Sequence, residues 1–267
     1  MLYGRKFPGT SLKRLFYTLA GILILALLSA CQSTPVHTTG GEPQSASRLA
    51  QVHTQLGIGY LREGKLEQAY NRLQRALDAD PNFSTAHNAM GLLQEQLKNP
   101  AKAEEHYRRA VSLNPADSAA QNNYGSFLCR HDRHEEGEAR FNKVIENPLY
   151  KTPEIAYANA GVCMKLAGDY DKAEGYLRSA LQINPKIPQA LIAMAELSYD
   201  KESHLTARAY LQRYLEVAPH TSQSLWLGVR VERELGDKNT ASSYALLLKS
   251  NYPDSRETQL LLESGEL

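Results

Sequence analysis

The chain has no strong charge of either sign: 30 basic residues stand against 29 acidic ones, a formal net charge of +1. Residues 1–30 hold Arg5, Lys6, Lys13 and Arg14 and no acid, so the remainder has 26 basic and 29 acidic residues and a net charge of −3. That balance gives nucleic acid no electrostatic footing, and no nucleic-acid partner is expected. Motifs of common catalysts are also missing. There is no nucleophile elbow, no phosphate loop and no zinc-protease helix. Gly57-x-Gly59 follows no strand and lacks a third glycine at dinucleotide-loop spacing. The one cluster dense in ligand-type side chains, His131 to Glu136 beside Cys129, falls at a turn, and its two histidines have no third partner at metal-ligand spacing. No catalytic residue, metal ligand or cofactor is therefore expected. A spanning helix is absent too, because the single long apolar run, Leu15 to Leu28, falls short of the roughly 18 residues a bilayer requires.

What the chain does have is a period. Pro81, Pro115, Pro148, Pro185, Pro219 and Pro253 follow one another in steps of 34, 33, 37, 34 and 34 residues. Small residues keep the same phase. Ala69, Ala103, Gly137, Ala173, Ala207 and Ala241 form one series, and Gly57, Gly91, Gly125 and Gly161 another. Ala195 stands for glycine in unit five, and Gly228-Val229 replaces the usual large-then-glycine pair in unit six. The bulky Leu73, Tyr107, Phe141, Leu177 and Leu211 are spaced to fill the gaps between units. Two antiparallel helices that cross closely and stack on the next pair need this arrangement.

The pattern resembles the tetratricopeptide repeat family over roughly residues 50–253. The resemblance implies an all-α fold, a right-handed superhelix (α-solenoid) of six helix pairs with a partial C-terminal capping helix over 254–263. The repeat domain is expected at 49–267, with repeats at about 50–83, 84–117, 118–153, 154–187, 188–221 and 222–255. Helix pairs are expected at 49–62 and 66–79, 84–97 and 100–113, 118–131 and 134–146, 154–166 and 170–183, 188–200 and 204–217, and 222–234 and 238–250. Gly64, Gly168 and Gly236 should supply the left-handed turn inside a pair. The 37-residue step, around Leu149 to Pro153, predicts either a bend in the superhelix or a surface loop, with the bend preferred.

The amino-terminal stretch has a basic head, an apolar middle and a small-residue end, the layout of a secretory signal at 1–30. Its ending, Leu28-Ser29-Ala30-Cys31, resembles a bacterial lipobox. That resemblance implies cleavage before Cys31 and acylation of its thiol and new amine. Several acyl chains hold a bilayer where one binds only marginally, at about 0.8 kcal/mol per buried methylene. Gln32, in a place where aspartate would retain the protein at the inner membrane, implies outer-membrane sorting. The alternatives are an ordinary signal with an incidental cysteine and an uncleaved anchor. Residues 31–48 are expected to be the lipidated cysteine and a flexible tether that spans roughly 20–25 Å.

Cys129 and Cys163 lie on the first helices of adjacent units, at the twelfth and tenth places. In an oxidising compartment a disulfide is expected between them; two small buried hydrophobes are the alternative. In the repeat family the second, fifth, ninth and twelfth places of each first helix face a concave groove suited to an extended peptide or a partner helix. Those places carry Thr54, Ile58 and Leu61, then Asn88, Leu92 and Glu95, then Asn122 and Ser126. Further on come Ile192, Glu196 and Tyr199, and Trp226, Arg230 and Arg233. Apolar residues on an open groove favour a partner that covers them, so the end nearest the lipid is the expected partner site. For any one of these residues the alternative is a side chain used against the neighbouring helix.

A sharper resemblance comes from Gln121-Asn122-Asn123-Tyr124-Gly125-Ser126-Phe127-Leu128-Cys129 and Asn159-Ala160-Gly161-Val162-Cys163, together with the lipobox, short tether and six repeats. These resemble the pilotin family of bacterial type IV pili. The resemblance implies a monomeric, non-catalytic lipoprotein on the periplasmic face of the outer membrane, held there by lipid at Cys31. Its partner would be the secretin subunit, whose outer-membrane localisation and multimerisation it would promote. The rival readings are a tetratricopeptide-repeat lipoprotein adaptor for cell-wall hydrolases or outer-membrane assembly factors, and an enzyme.

Overall fold

A computed structural model describes Gly4 and residues 41–265. The chain divides into two compact units, residues 1–45 and 46–267. The signal (apart from Gly4), the lipobox with Cys31 and the tether up to residue 40 lie outside the described residues.

Among the described residues there are thirteen helices and no strand. They are α1 (Gly41–Arg62), α2 (Leu66–Ala79), α3 (Ser84–Gln96), α4 (Pro100–Leu113), α5 (Ser118–Arg130), α6 (His134–Ile145), α7 (Pro153–Leu166), α8 (Tyr170–Ile183), α9 (Pro188–Asp200), α10 (His204–Leu215), α11 (Ser222–Glu234), α12 (Lys238–Asn251) and α13 (Arg256–Glu263). The fold of the repeat unit is a right-handed tetratricopeptide-type α-solenoid: six antiparallel pairs, α1/α2 to α11/α12, closed by α13.

Second helices bury one stripe. Ala69, Leu73 and Ala76 of α2 are its buried residues, and Ala103, Tyr107 and Ala110 of α4 repeat the i, i+4, i+7 spacing that places them on one face. First helices are buried on more than one side. Helix α3 buries Ala86, Asn88, Ala89, Met90, Gly91, Leu93 and Gln94, as a helix sandwiched between neighbours must. The two helices of a pair touch where the small residues lie. A Cβ on Gly91 would stand 2.7 Å from the Tyr107 ring, too close for any rotamer of a buried ring to avoid. An added methyl there should cost about 1–3 kcal/mol through overpacking.

Turns inside the pairs are left-handed in all six units. Gly64, Gly168 and Gly236 have φ of 71°, 77° and 79°, while Lys98, Asp132 and Glu202 hold the same turn at 60°, 59° and 59°. The three non-glycine residues accept a steric cost of roughly 1–2 kcal/mol each, so the pair geometry outweighs the local preference. Helix starts are marked by Pro100, Pro153 and Pro188 in the first turn, where the missing N–H removes no helical bond. Asp117, Asp169 and Asp237 cap α5, α8 and α12 by accepting from backbone N–H groups.

Two expectations need correction. Helix α1 begins at Gly41, so residues 41–48, expected as the end of the tether, are helical. Pro43 reads as a helix breaker in the sequence, yet in a first turn it breaks nothing. The second concerns the long step after Pro148, whose alternative as a surface loop is the one seen, with the core uninterrupted beneath it. One apolar cluster runs from Cys129 and Phe141 through Cys163 and Leu177 to Met194 and Leu197. The extra residues form a surface loop in which Leu149 is 85% exposed. At the far end, α13 lays Leu261 on Leu225, Val229 and Leu248, the apolar surface that a seventh pair would otherwise cover.

Candidate functional site

The inner wall is built by the first helices, and its register can be read from the crossing points. Gly57, Gly91, Gly125, Gly161 and Gly228 face Leu73, Tyr107, Phe141, Leu177 and Tyr244 in turn. Residues one step further, Ile58, Leu92, Ser126 and Val162, therefore occupy one repeated place, and Glu196 after Ala195 takes it in unit five. All five are partly exposed. In unit six the same place holds Val229, buried under Leu261 of the cap. The row passes from apolar at the first units to charged at the fifth.

Of the eight residues that the first three units were expected to turn to a partner, Ile58, Leu92, Glu95 and Ser126 are partly exposed. Thr54, Leu61, Asn88 and Asn122 are buried, which corrects the expectation for those four. For Leu61, Asn88 and Asn122 the cause is the next first helix, which packs against them, and Thr54 turns back onto its own helix. Leu61 joins Ala89, Met90 and Leu93 in one cluster. Thr54 Oγ1 donates to the Ala50 carbonyl at 2.7 Å. Asn88 Oδ1 accepts from Asn123 Nδ2 at 3.0 Å, and Asn122 Oδ1 from Asn159 Nδ2 at 3.0 Å. Gln189 Nε2 then donates to Asn159 Oδ1 at 2.7 Å. The amides thus tie α3 to α5, and α5 through α7 to α9. Each such bond is worth about 0.5–1.5 kcal/mol net, and leaving either partner unsatisfied in the interior would cost more. These residues set the spacing of the wall. Asn123, Asn159 and Gln189 had not been singled out as contacts, although the run Gln121-Asn122-Asn123 in a helix was a visible signal.

Charged rungs on the wall are mostly neutralised from within. Glu95 takes hydrogen bonds from Arg130 and from the Tyr107 hydroxyl. Burial, with Glu95 alongside, holds the Tyr107 phenol well above its usual range. Glu196 pairs with Lys165 at 2.6 Å and accepts from Gln223. Glu232, nearly fully buried, is held by Arg208. Helix α11 departs from the expected register by one residue. The Gly228 crossing puts Leu225, Val229 and Glu232 at the groove places, all buried, and leaves Trp226, Arg230 and Arg233 partly exposed beside them. The Arg230 guanidinium carbon lies 4.5 Å from the Tyr199 ring centre and 5.7 Å from that of Trp226.

Cys129 and Cys163 are joined in a disulfide, with Cα atoms 5.4 Å apart, inside the cluster between α5 and α7. The bridge accounts for Gly137. Five units place alanine at that point of the second helix, but a Cβ on Gly137 would overlap the Cys129 sulfur and stand 3.4 Å from that of Cys163. The break in the alanine series was a sequence signal for the bridge. Among the described residues no group of three or more His, Cys, Asp and Glu side chains could hold a metal, and no helix is long and apolar enough to cross a membrane.

Comparison with known proteins agrees with this geometry. Tetratricopeptide-repeat family models match residues 54–118, 88–153 and 166–227. The type IV pilus assembly protein PilF of Pseudomonas aeruginosa is 31% identical over 243 residues, covering 89% of this chain and 95% of that protein. The structure of P. aeruginosa PilF aligns with a TM-score of 0.71 at 31% identity, over 82% of this chain and 99% of that one. The structure of PilW, described as a widely conserved type IV pilus biogenesis factor, aligns with a TM-score of 0.72 at 33% identity, over 80% and 98% of the two chains.

Proposed function

Since the chain belongs to the tetratricopeptide-repeat family and, within it, to the PilF/PilW group of type IV pilus biogenesis proteins, we propose that it is the pilotin of its system. In this reading Cys31 is acylated and sorts to the outer membrane, and the periplasmic wall of first helices binds the secretin subunit and promotes its multimerisation.

The observation that carries the reading is the apolar end of the repeat array. Ile58 and Leu92 are partly exposed on the wall, and Leu49, Val52 and Leu56 of α1 lie exposed at i, i+3 and i+7. Such a surface is retained where another polypeptide completes it. Its place on the first helix of the array, the helix that follows Cys31 most closely in sequence, suits a protein that must bring a membrane address and a cargo together. No rung of this end carries chemistry for catalysis, so the protein serves as a scaffold. A cell-wall hydrolase adaptor would use the same wall for a different cargo.

One experiment separates the two. Deleting the gene should abolish heat-resistant secretin multimers, and complementation with an Ile58→Glu/Leu92→Glu variant that still folds and fractionates with outer membrane should fail to restore them. Unchanged multimers in the deletion strain would sink the pilotin reading. Full restoration by the double variant would move the partner site away from this end.

A further inference from the structure

At the opposite end of the wall, we infer that Arg230, held between Tyr199 and Trp226, is a receptor for an acidic side chain of an extended polypeptide segment. The inference rests on the reading that the wall grips a polypeptide, but it concerns a different region from the apolar end.

Four observations lead there. Arg230 lies two residues after the Gly228 crossing, where units two to five place Leu93, Phe127, Cys163 and Leu197, all buried. A guanidinium at a position that packing otherwise reserves for apolar groups and a cystine needs a reason. Its cation lies over two rings: Tyr199 is on α9, Trp226 one turn earlier on α11, and both rings are within cation–π reach of the guanidinium carbon. Among the described residues no carboxylate is paired with it. Two acids of this part of the wall are already engaged, Glu196 with Lys165 and Gln223, and Glu232 with Arg208, while Glu234, one turn on along α11, is exposed and not paired with the guanidinium. Finally, Arg230 Nε is buried with no hydrogen-bond partner.

Together these describe a cation fixed in place, partly desolvated and uncompensated. Stacking removes the rotamer freedom that a free arginine would lose on pairing, and a planar fork matches a carboxylate in geometry as well as charge. Partial burial weakens screening, so the first carboxylate to arrive gains more than it would from an exposed lysine. The rings flanking the fork offer an apolar floor for the methylenes of a glutamate. An extended segment lying along the wall could therefore meet the apolar row at Ile58 and Leu92 and present its acid at α11.

Trp226 is the single tryptophan of the chain, so binding here can be read by intrinsic fluorescence. Three dodecapeptides on a Thr/Val/Ser background serve as probes for the purified, oxidised repeat protein: acetylated and amidated with one central Glu, the same with Gln, and the Gln peptide with a free carboxyl terminus. The Glu peptide should perturb Trp226 emission and bind about tenfold more tightly than its Gln partner, the ratio that one charge-assisted hydrogen bond supports. Arg230→Gln should erase that ratio, and Arg230→Lys, which keeps the charge without the fork, should retain part of it and stand in should the first variant fold poorly. Equal binding of Glu and Gln peptides, no binding by either, or a ratio that survives Arg230→Gln overturns the inference. Selective binding of the free-carboxylate peptide overturns it as well, since the site would then read chain ends. Secretin multimers do not enter this test, so its failure leaves the pilotin reading standing, and the reverse.

Discussion

The joint between units three and four and the joint between units five and six occupy one place in the repeat and hold opposite chemistry. In the first, Cys129, four residues after the small residue of its helix, meets Cys163, two residues after the next. In the second, Tyr199 and Arg230 stand at those same two places. Between the first two units the places hold Leu61 and Leu93, in one apolar cluster. The repeat backbone requires that something fill the joint, and leaves open what. In the middle of the array the joint is closed by a covalent bond among buried residues. At the end it is filled by a stacked cation that faces outward without an acid, so one joint can only hold the array together while the other can also receive a ligand.

The widest gap between the joints should appear in stability. Cys129→Ser/Cys163→Ser opens a loop of 34 residues, which the chain-entropy account values at about 3–4 kcal/mol. Arg230→Gln removes stacking at a partly exposed site and should cost about 0.5–1 kcal/mol. Denaturant unfolding of both variants beside the oxidised parent measures the difference. Equal losses would break the comparison, because the arginine would then be as structural as the bridge.

A second measurement sharpens the account of the bridge. Gly137→Ala forces a methyl into the Cys129 sulfur and should destabilise the oxidised protein by about 1–3 kcal/mol. In a Cys129→Ala background the same substitution should cost less, because only the closer of its contacts, the one with the sulfur, has been removed. A double-mutant cycle isolates the coupling. A penalty undiminished without the sulfur would place the conflict with the Gly125 carbonyl instead, which stands 2.9 Å from the added Cβ.

Most of the architecture was readable before any coordinates. Prolines, the three glycines in the turns and the 34-residue period locate the helix pairs within a few residues, because stop signals and close crossings are local demands. What failed was whatever depended on a neighbour. Asn88 and Asn122 sit at groove places by count, yet the adjacent first helix reaches their amides and takes them out of the groove. The α11 register slipped by one because Thr221, the N-cap, occupies the place that the unit count gave to Ser222. Arg230 was thereby placed directly on the groove, when it lies beside it at a joint. Pro43 hid the start of α1 for the simpler reason that a proline in a first turn and a proline in a linker look alike.

Acidification should not distinguish the two joints, because neither the disulfide nor the Arg230 guanidinium titrates in this range, and this is the smallest effect expected there. The groups that respond are His87 and His106 in unit two and His220, which packs on Tyr244 ahead of the last pair and is likewise held below the ordinary imidazole value by burial. His87 Nε2 lies 3.1 Å from the Pro81 carbonyl and must donate to it, so His87 Nδ1 accepts the Nδ1–H of His106 at 3.0 Å. Both rings are neutral in that arrangement, and burial holds both pKa values below the ordinary imidazole value of 6.5. As pH falls below that value the unfolded chain takes up protons that the folded pair resists, so stability present above it is lost on acidification. Melting temperatures at about pH 7.5 and about pH 5.5 should therefore fall together in the parent, the Cys129→Ser/Cys163→Ser variant and Arg230→Gln. His106→Gln, whose amide can still donate to His87 Nδ1 but cannot titrate, should show a smaller drop. A drop that shrank in Arg230→Gln while remaining whole in His106→Gln would assign the acid sensitivity to the outer joint, and the division between a joint that holds and a joint that receives would need to be redrawn.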